Sequence, residues 1–350
     1  MTTNNDHGVL RIVDANMNRV GEALRFLEEI ARFALDDARL SAELKNLRHK
    51  VSISDPNTKR VLISAREDND VGFDIKYEVQ NRTFYQSIIA NSRRAEESLR
   101  VLEETAKIPG TNLEAAVFQD MRFQVYAIEK QLLSRISRIE SIQLLKGLYV
   151  VLDTAFLNGR NPVKLCDEIL RAGTKAIQLR AKDYGTREFI ELAQKISTTC
   201  RKHNALLIIN DRLDVALAAD ADGLHIGQDD MPVKTARQLL PMDKIIGVSA
   251  STMDEAIKAK KDGADYLGVG AIYATPSKPD AKVTGKEIIQ DIKDKTGLPV
   301  VAIGGINIDN CRDIMDAGAD SVAVISAVLS APSPLDAAIQ LIKKIGHDNE

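Results

Sequence analysis

Tryptophan is absent from the 350 residues, and Phe, Trp and Tyr together make up only 4%. That poverty argues against base stacking or an aromatic sugar platform as the basis of function. The three cysteines, Cys166, Cys200 and Cys311, are odd in number and show no CxxC spacing, which speaks against a disulfide framework, a zinc knuckle and a redox pair. Buried free thiols are expected instead. Nowhere do 18 consecutive apolar residues occur, and the opening MTTNNDHG lacks an apolar stretch, so membrane spanning and secretion lack support and a cytoplasmic location is expected. An excess of one charge is missing too: 47 basic residues face 50 acidic ones, split near residue 140 into 21 against 22 and 26 against 28. Neither half is a nucleic-acid patch. GxSxG, HExxH and GxxxxGK[ST] do not occur, which removes the main support for serine-hydrolase, zinc-protease and Walker-type readings.

With 44% hydrophobic and 28% charged residues the chain is globular, and its length suggests two domains, or a barrel plus an extension. The first part, residues 1–140, reads as helical and is duplicated at an offset of 75: Ala15, Asn16, Arg19, Glu22, Leu24, Arg25, Leu27, Glu28 and Glu29 return as Ala90, Asn91, Arg94, Glu97, Leu99, Arg100, Leu102, Glu103 and Glu104. Two helix pairs predict a four-helix unit, with Leu24, Leu27 and their partners on one apolar stripe. Between the repeats, Ser54 to Asn57 marks a turn and Val71 to Val79 a short strand or extended link. The second part, residues 141–350, alternates β-branched runs with amphipathic stretches. Strands are expected at Leu148–Asp153, Ala176–Arg180, Leu206–Asn210, Gly223–Ile226, Ile245–Val248, Tyr266–Val269, Val300–Ile303 and Ser321–Ile325, with helices such as Arg187–Arg201 and Ile308–Ala317 between them. Eight such units predict the α/β class and a (β/α)₈ TIM barrel, preceded by an all-α repeat domain. An open doubly wound sheet competes, but Asp153-Thr154-Ala155 offers no Gly-rich dinucleotide turn after the first strand. The turns around Ala172-Gly173, Asp262 to Asp265 and Asp316 to Asp320 are read as structural.

Strands of a parallel barrel are covered on both faces, so polar side chains on them call for partners. Gln178, Arg180 and Lys182 share one face of the second strand, while Ile177, Leu179 and Ala181 take the other. An anionic ligand at the barrel mouth accounts for them; a salt bridge to a barrel carboxylate is the bland alternative. Asn210-Asp211 ends the third strand and Asp229-Asp230 follows the fourth, near enough for Asp211 and Asp230 to hold Mg²⁺ together with phosphate oxygens; taken alone, such an aspartate is more often a helix cap. Thr275-Pro276-Ser277-Lys278 offers two hydroxyls and an ammonium at the rim. Gly304-Gly305 and Ile325-Ser326 lie where barrels commonly hold a phosphate. His225 is expected as a satisfied core or rim histidine.

In their order, strand placement and spacing, Gln178-Leu179-Arg180-Ala181-Lys182, Asn210-Asp211, Asp222 to Asp230, Gly247 to Ser249, Thr275-x-Ser277-Lys278, Gly304-Gly305 and Ile325-Ser326 together resemble the thiamine phosphate synthase family, over about 200 residues. The resemblance implies a transferase joining hydroxymethylpyrimidine diphosphate to a thiazole phosphate, plain or carboxylated, with release of pyrophosphate in the presence of Mg²⁺. It implies that Gln178, Leu179, Arg180, Ala181, Lys182, Asn210, Ser249 and Lys278 bind the pyrimidine diphosphate, with Arg180, Lys182 and Lys278 catalytic, and that Asp211 and Asp230 bind the metal. Thr275, Ser277, Gly305, Ile325 and Ser326 would face the thiazole phosphate, and Pro276 of the same loop is included among the substrate-binding residues. The family loop commonly reads Pro-Thr-x-Thr-Lys; here it is Ala274-Thr275-Pro276-Ser277-Lys278, and the serine keeps the hydroxyl. A related barrel that binds or isomerises the thiazole phosphate without synthase activity is the competing reading, although it has no use for the diphosphate clamp. The first part resembles an extension fused to some family members, for which pyrimidine phosphate kinase activity is one implication; Asn16, Arg19, Asn91 and Arg94 would then cradle phosphate. An ion-pair lattice or a role in assembly are the alternatives. Expected partners are small phosphorylated substrates, not nucleic acid or membrane, with a homo-oligomer left open.

Overall fold

The computed structural model describes residues 4–51, 62, 81–111, 113–275 and 282–346. The chain forms two compact units, Met1–Ser137 and Arg138–Glu350. In the first unit, α1 (Asn4–Glu29) ends in a π-helical turn (Ile30–Ala34) and is followed by α2 (Ala38–Val51), α3 (Phe84–Thr105) and α4 (Ala115–Leu144). Local chemistry starts these helices. Asp37 Oδ1 accepts the N–H groups of Arg39 and Leu40 at the head of α2, each at 3.0 Å. Thr83 and Gln86 form a reciprocal capping box on α3. Leu24, Leu27, Leu99 and Leu102 are fully buried with Leu40, Leu44, Met121 and Leu132 in one core, as the apolar stripe predicts. The expected turn at Ser54 to Asn57 and the strand at Val71 to Val79 lie outside the described residues.

The duplication is visible as a repeated ion-pair lattice. Glu28 is buried and receives Arg48 Nε at 3.0 Å and Arg25 at 3.5 Å. Glu103 is buried likewise and receives Arg122 at 3.0 Å and Arg100 at 2.8 Å. A buried carboxylate forked by two guanidiniums satisfies the pairing that burial demands. Asn16 and Asn91 repeat each other as well: their amides donate to the carbonyls of Ile12 (2.8 Å) and Ser87 (2.9 Å), one turn back on their own helices.

The second unit is a closed barrel of eight parallel strands in sequence order: β1 (Gly147–Asp153), β2 (Ala176–Arg180), β3 (Leu206–Asn210), β4 (Gly223–Ile226), β5 (Ile245–Ala250), β6 (Tyr266–Val269), β7 (Val300–Ile303) and β8 (Ser321–Val324). The helices between and after them are α5 (Pro162–Arg171), α6 (Thr186–Lys202), α7 (Leu213–Ala218), α8 (Val233–Leu239), α9 (Met253–Asp262), α10 (Ile288–Thr296), α11 (Cys311–Asp316), the single turn α12 (Ser326–Leu329) and α13 (Pro334–Ile345). Sequence signals start them: Asn161 accepts from Val163 and Lys164 N–H before Pro162 opens α5, and Ser333 does the same for Asp336 before Pro334 in α13.

Strand period decides which side chains enter the barrel. Tyr149, Val151, Ala176, Leu206, Ile208, Ile245, Tyr266, Val301 and Ala323 form the inner core, closed off with Leu145, while the intervening residues pack against the helices. At the N-terminal end of several strands, one device recurs. Asp222, Asp265 and Asp320 each accept a strand backbone N–H, from Leu207 (2.8 Å), Ile246 (2.8 Å) and Val300 (2.9 Å) respectively. The Asp-containing helix-to-strand turns are therefore structural. Cys166, Cys200 and Cys311 are buried free thiols.

Candidate active site

Past the apolar inner layer the side chains turn polar, and a cavity of about 900 Å³ opens there. Gln178, Arg180, Lys182, Asn210, Asp211, Asp230, Ser249, Thr275, Gly305, Ile325 and Ser326 all line it. Leu179 and Ala181, included with the β2 run, are buried in the layer between strands and helices, on the face expected from strand alternation. Pro276, Ser277 and Lys278 lie outside the described residues.

Arg180 lies opposite Asp153 in the β1–β2 register, and its Nη1 donates to Asp153 Oδ2. Asp153 is buried and also accepts from Ala155 N–H at 3.0 Å. The salt bridge and the cavity-facing position coexist, because Asp153 holds one edge of the guanidinium and Arg180 still lines the opening. Lys182 Nζ stands 3.6 Å from Asp211 Oδ2. Asp211 takes a left-handed φ of +63°, tolerable for aspartate, and its N–H donates to His225 O at 2.8 Å. Gly227 N–H donates to Asp230 Oδ2 at 2.8 Å. The Asp211 carboxyl is pushed up to about 6, first by burial and then by Asp230 beside it, against the opposing pull of Lys182. Two juxtaposed carboxylates beside an open cavity form a donor set suited to a hard divalent cation. Asp230 rather than Asp229 lines the cavity.

Below this charged rim runs a hydrogen-bonded chain across the barrel interior. Gln178 Nε2 donates to Tyr149 Oη at 3.0 Å, and the Tyr149 and Tyr266 hydroxyls are 3.1 Å apart. His225 Nδ1 lies 3.1 Å from Tyr266 Oη and Nε2 lies 3.0 Å from Ser249 Oγ. Burial holds the His225 pKa down at about 4, with Asp230 pulling the other way, so the ring is neutral near pH 7. It is satisfied at both nitrogens, as expected for this histidine. Space for the chain comes from glycine. A Cβ on Gly247 would overlap the Tyr266 ring and lie 2.5 Å from His225 Nδ1, and one on Gly268 would lie 2.7 Å from His225 Cε1.

On the opposite side of the cavity, Gly304 and Gly305 take φ of +105° and +65°. Each would place a Cβ 2.7 Å from the segment after β6, Gly304 against Ala271 and Gly305 against Tyr273. Only glycine admits that backbone at that approach. Asp153, Tyr149, Tyr266, Ser251 and Lys282 are site residues that sequence reasoning missed. Asp153 was the recoverable one: a carboxylate ends an otherwise apolar strand, one strand before the arginine.

A family model described as thiamine monophosphate synthase matches residues 148–328, and one described as the ThiD2 family matches residues 11–131. The thiamine-phosphate synthase of Synechocystis sp. is 39% identical over 346 residues, 97% of each chain. That of Prochlorococcus marinus is 35% identical over 346 residues, 98% of this chain and 97% of its own. The solved thiamine phosphate pyrophosphorylase from Pyrococcus furiosus superposes with a TM-score of 0.54 at 41% identity, covering 58% of this chain and 97% of that one. Identity of this extent over nearly the whole length decides the matter: the chain belongs to the thiamine-phosphate synthase family.

Proposed function

We propose that the barrel cavity carries out the family's transfer by stabilising a departing diphosphate and holding two flat rings together, with no enzyme nucleophile. One observation carries this reading: Arg180, Lys182, Asp211 and Asp230 line one cavity, with a neutral, fully bonded histidine beneath them. The C–O bond between the pyrimidine methylene and the diphosphate breaks, and its electron pair leaves with the diphosphate. Arg180, preset by Asp153, and Lys182 meet the negative charge that develops on the leaving oxygens. Asp211 and Asp230 would hold Mg²⁺, which when bound supplies further neutralisation of diphosphate charge.

The aminopyrimidine ring delocalises the positive charge left on the methylene carbon. The thiazole nitrogen lone pair then forms the new C–N bond, giving thiamine phosphate. No proton moves between enzyme and substrate in that sequence, which suits a cavity whose histidine already has both nitrogens committed. Gln178 and Ser249 are fixed from behind by Tyr149 and His225 and present polar groups to the pyrimidine. Gly305, Ile325, Ser326 and Thr275 face the thiazole phosphate from the other side. Proximity and orientation of the two rings supply much of the remaining rate. Buried free thiols suit a reducing cytoplasm. Incubating the purified chain with both phosphorylated precursors and Mg²⁺ tests the reading: thiamine phosphate and pyrophosphate should appear in equal amounts. Folded protein that binds the thiazole phosphate yet makes neither product would favour the barrel without synthase activity.

A further inference from the structure

The side chains of Tyr149 and Tyr266 are buried in the inner core of the barrel. Their hydroxyls belong to a chain of four hydrogen bonds that runs from Gln178 through Tyr149, Tyr266 and His225 to Ser249. Both end members, Gln178 and Ser249, line the cavity. Burial pushes the pKa of each phenol up, so each keeps its proton.

Counting protons fixes the direction of every bond. Gln178 Nε2 donates to Tyr149 Oη, and among the described residues the other hydrogen-bond neighbour of that oxygen is the Tyr266 hydroxyl. The Tyr149 proton therefore goes to Tyr266, since a buried hydroxyl proton without an acceptor is costly. The Tyr266 proton then has His225 Nδ1 as its acceptor. Nδ1 is thus bare, the ring hydrogen sits on Nε2, and Nε2 donates to Ser249 Oγ. At one end the Gln178 carbonyl oxygen remains as an acceptor for a ligand. At the other the Ser249 O–H remains as a donor.

The other fully bonded arrangement reverses all four bonds: Ser249 donates to Nε2, Nδ1–H to Tyr266, Tyr266 to Tyr149, and Tyr149 to the oxygen of a turned Gln178 amide. Its ends offer an N–H donor at Gln178 and a bare acceptor at Ser249, so the two ends change together and never singly. We propose that Tyr149 and Tyr266 are positioning residues that make the cavity select an amino group over an oxo group on the pyrimidine, a selection that rests on the reading of this cavity as the pyrimidine site. An amino N–H pairs with the Gln178 oxygen while a ring nitrogen or diphosphate oxygen accepts from Ser249. An oxo group meets the Gln178 oxygen acceptor to acceptor. Turning the amide relieves that clash but commits the Ser249 proton to His225, which leaves the ring nitrogen or diphosphate oxygen without its donor. Sites that leave polar groups unpaired reject an analogue far more strongly than apolar pockets do.

Calorimetric titration of the full chain with the aminopyrimidine diphosphate and with its oxo analogue, both with Mg²⁺, tests this. The parent should bind the amino form at least about a hundredfold more tightly. Tyr149→Phe and Tyr266→Phe keep the aromatic ring and lose only the hydroxyl, which uncouples the two ends. Each should narrow the preference about tenfold, the effect expected of one hydrogen bond. A purely structural role would weaken both ligands together and leave their ratio alone. An unchanged ratio in either folded variant, or a parent that does not discriminate, would overturn the proposal. Because binding is read without turnover, a parent that prefers the amino form yet makes no thiamine phosphate would fail the transfer reading and leave the selection standing.

Discussion

Arg180 owes its aim to a single buried carboxylate. Asp153 accepts from both Arg180 and the Ala155 N–H, and Asp153→Asn keeps the shape but loses the charge that holds the guanidinium. We expect kcat to fall about tenfold without a rise in KM for the pyrimidine diphosphate, because the orientation of charge at the leaving group suffers while a repulsive carboxylate is removed. Steady-state kinetics in both substrates checks this, and an unchanged kcat contradicts the positioning role. Strand parity alone gave Gln178, Arg180 and Lys182 a common face. The same parity turns Leu179 and Ala181 away from the cavity and into the layer under the helices. Asp153 is legible as a carboxylate at the end of an apolar strand, but its pairing with Arg180 needs the β1–β2 register and not only the strand period.

Glu96 gives a pH-dependent prediction. Burial and then Glu129 push its folded-state pKa up to about 7, above the ordinary value of 4.5, so the folded unit binds a proton that the unfolded chain has already released across that interval. Stability of the helical unit should therefore decline as pH rises from about 4.5 to about 7. Glu96→Gln removes the penalty: the variant should exceed the parent in stability above pH 7 and match its pH trend below pH 4.5. Chemical denaturation at both ends of that range reads the difference. A gap that grows on acidification contradicts the assignment.

Glycines on neighbouring strands decide what β4 and β6 can hold between them. Gly247 on β5 and Gly268 on β6 leave the room in which His225 and Tyr266 meet across the barrel. Gly247→Ala should therefore displace both rings, cost about 1–3 kcal/mol as overpacked cores do, and lower synthase activity through Ser249 and Gln178. Urea denaturation with parallel activity measurements checks it, and full stability with full activity contradicts the account. The strands themselves were legible, since β-branched runs bounded by turns mark each one to within a few residues. The His225–Tyr266 contact was not, because it joins residues 41 apart in sequence through a register that only the closed sheet defines.

The whole chain combines two units with different amounts of readable chemistry. In the barrel, the fold brings motifs from β2, β3, the loops after β4 and β7, and the end of β8 around one cavity, so spacing along the sequence became spacing in space. In the helical unit, the repeated Asn, Arg and Glu residues that first invite a phosphate-binding reading include Asn16 and Asn91, whose amides bond their own helices. The repeated Glu28 and Glu103 knit the fold.

A crystal structure of the protein with Mg²⁺ and pyrophosphate tests the central claim most directly. The account predicts one ion bridging Asp211, Asp230 and the pyrophosphate at about 2.1 Å, the usual Mg–O distance, with Arg180 and Lys182 on the remaining phosphate oxygens. Pyrophosphate bound elsewhere, or an ion that touches neither aspartate, would contradict it.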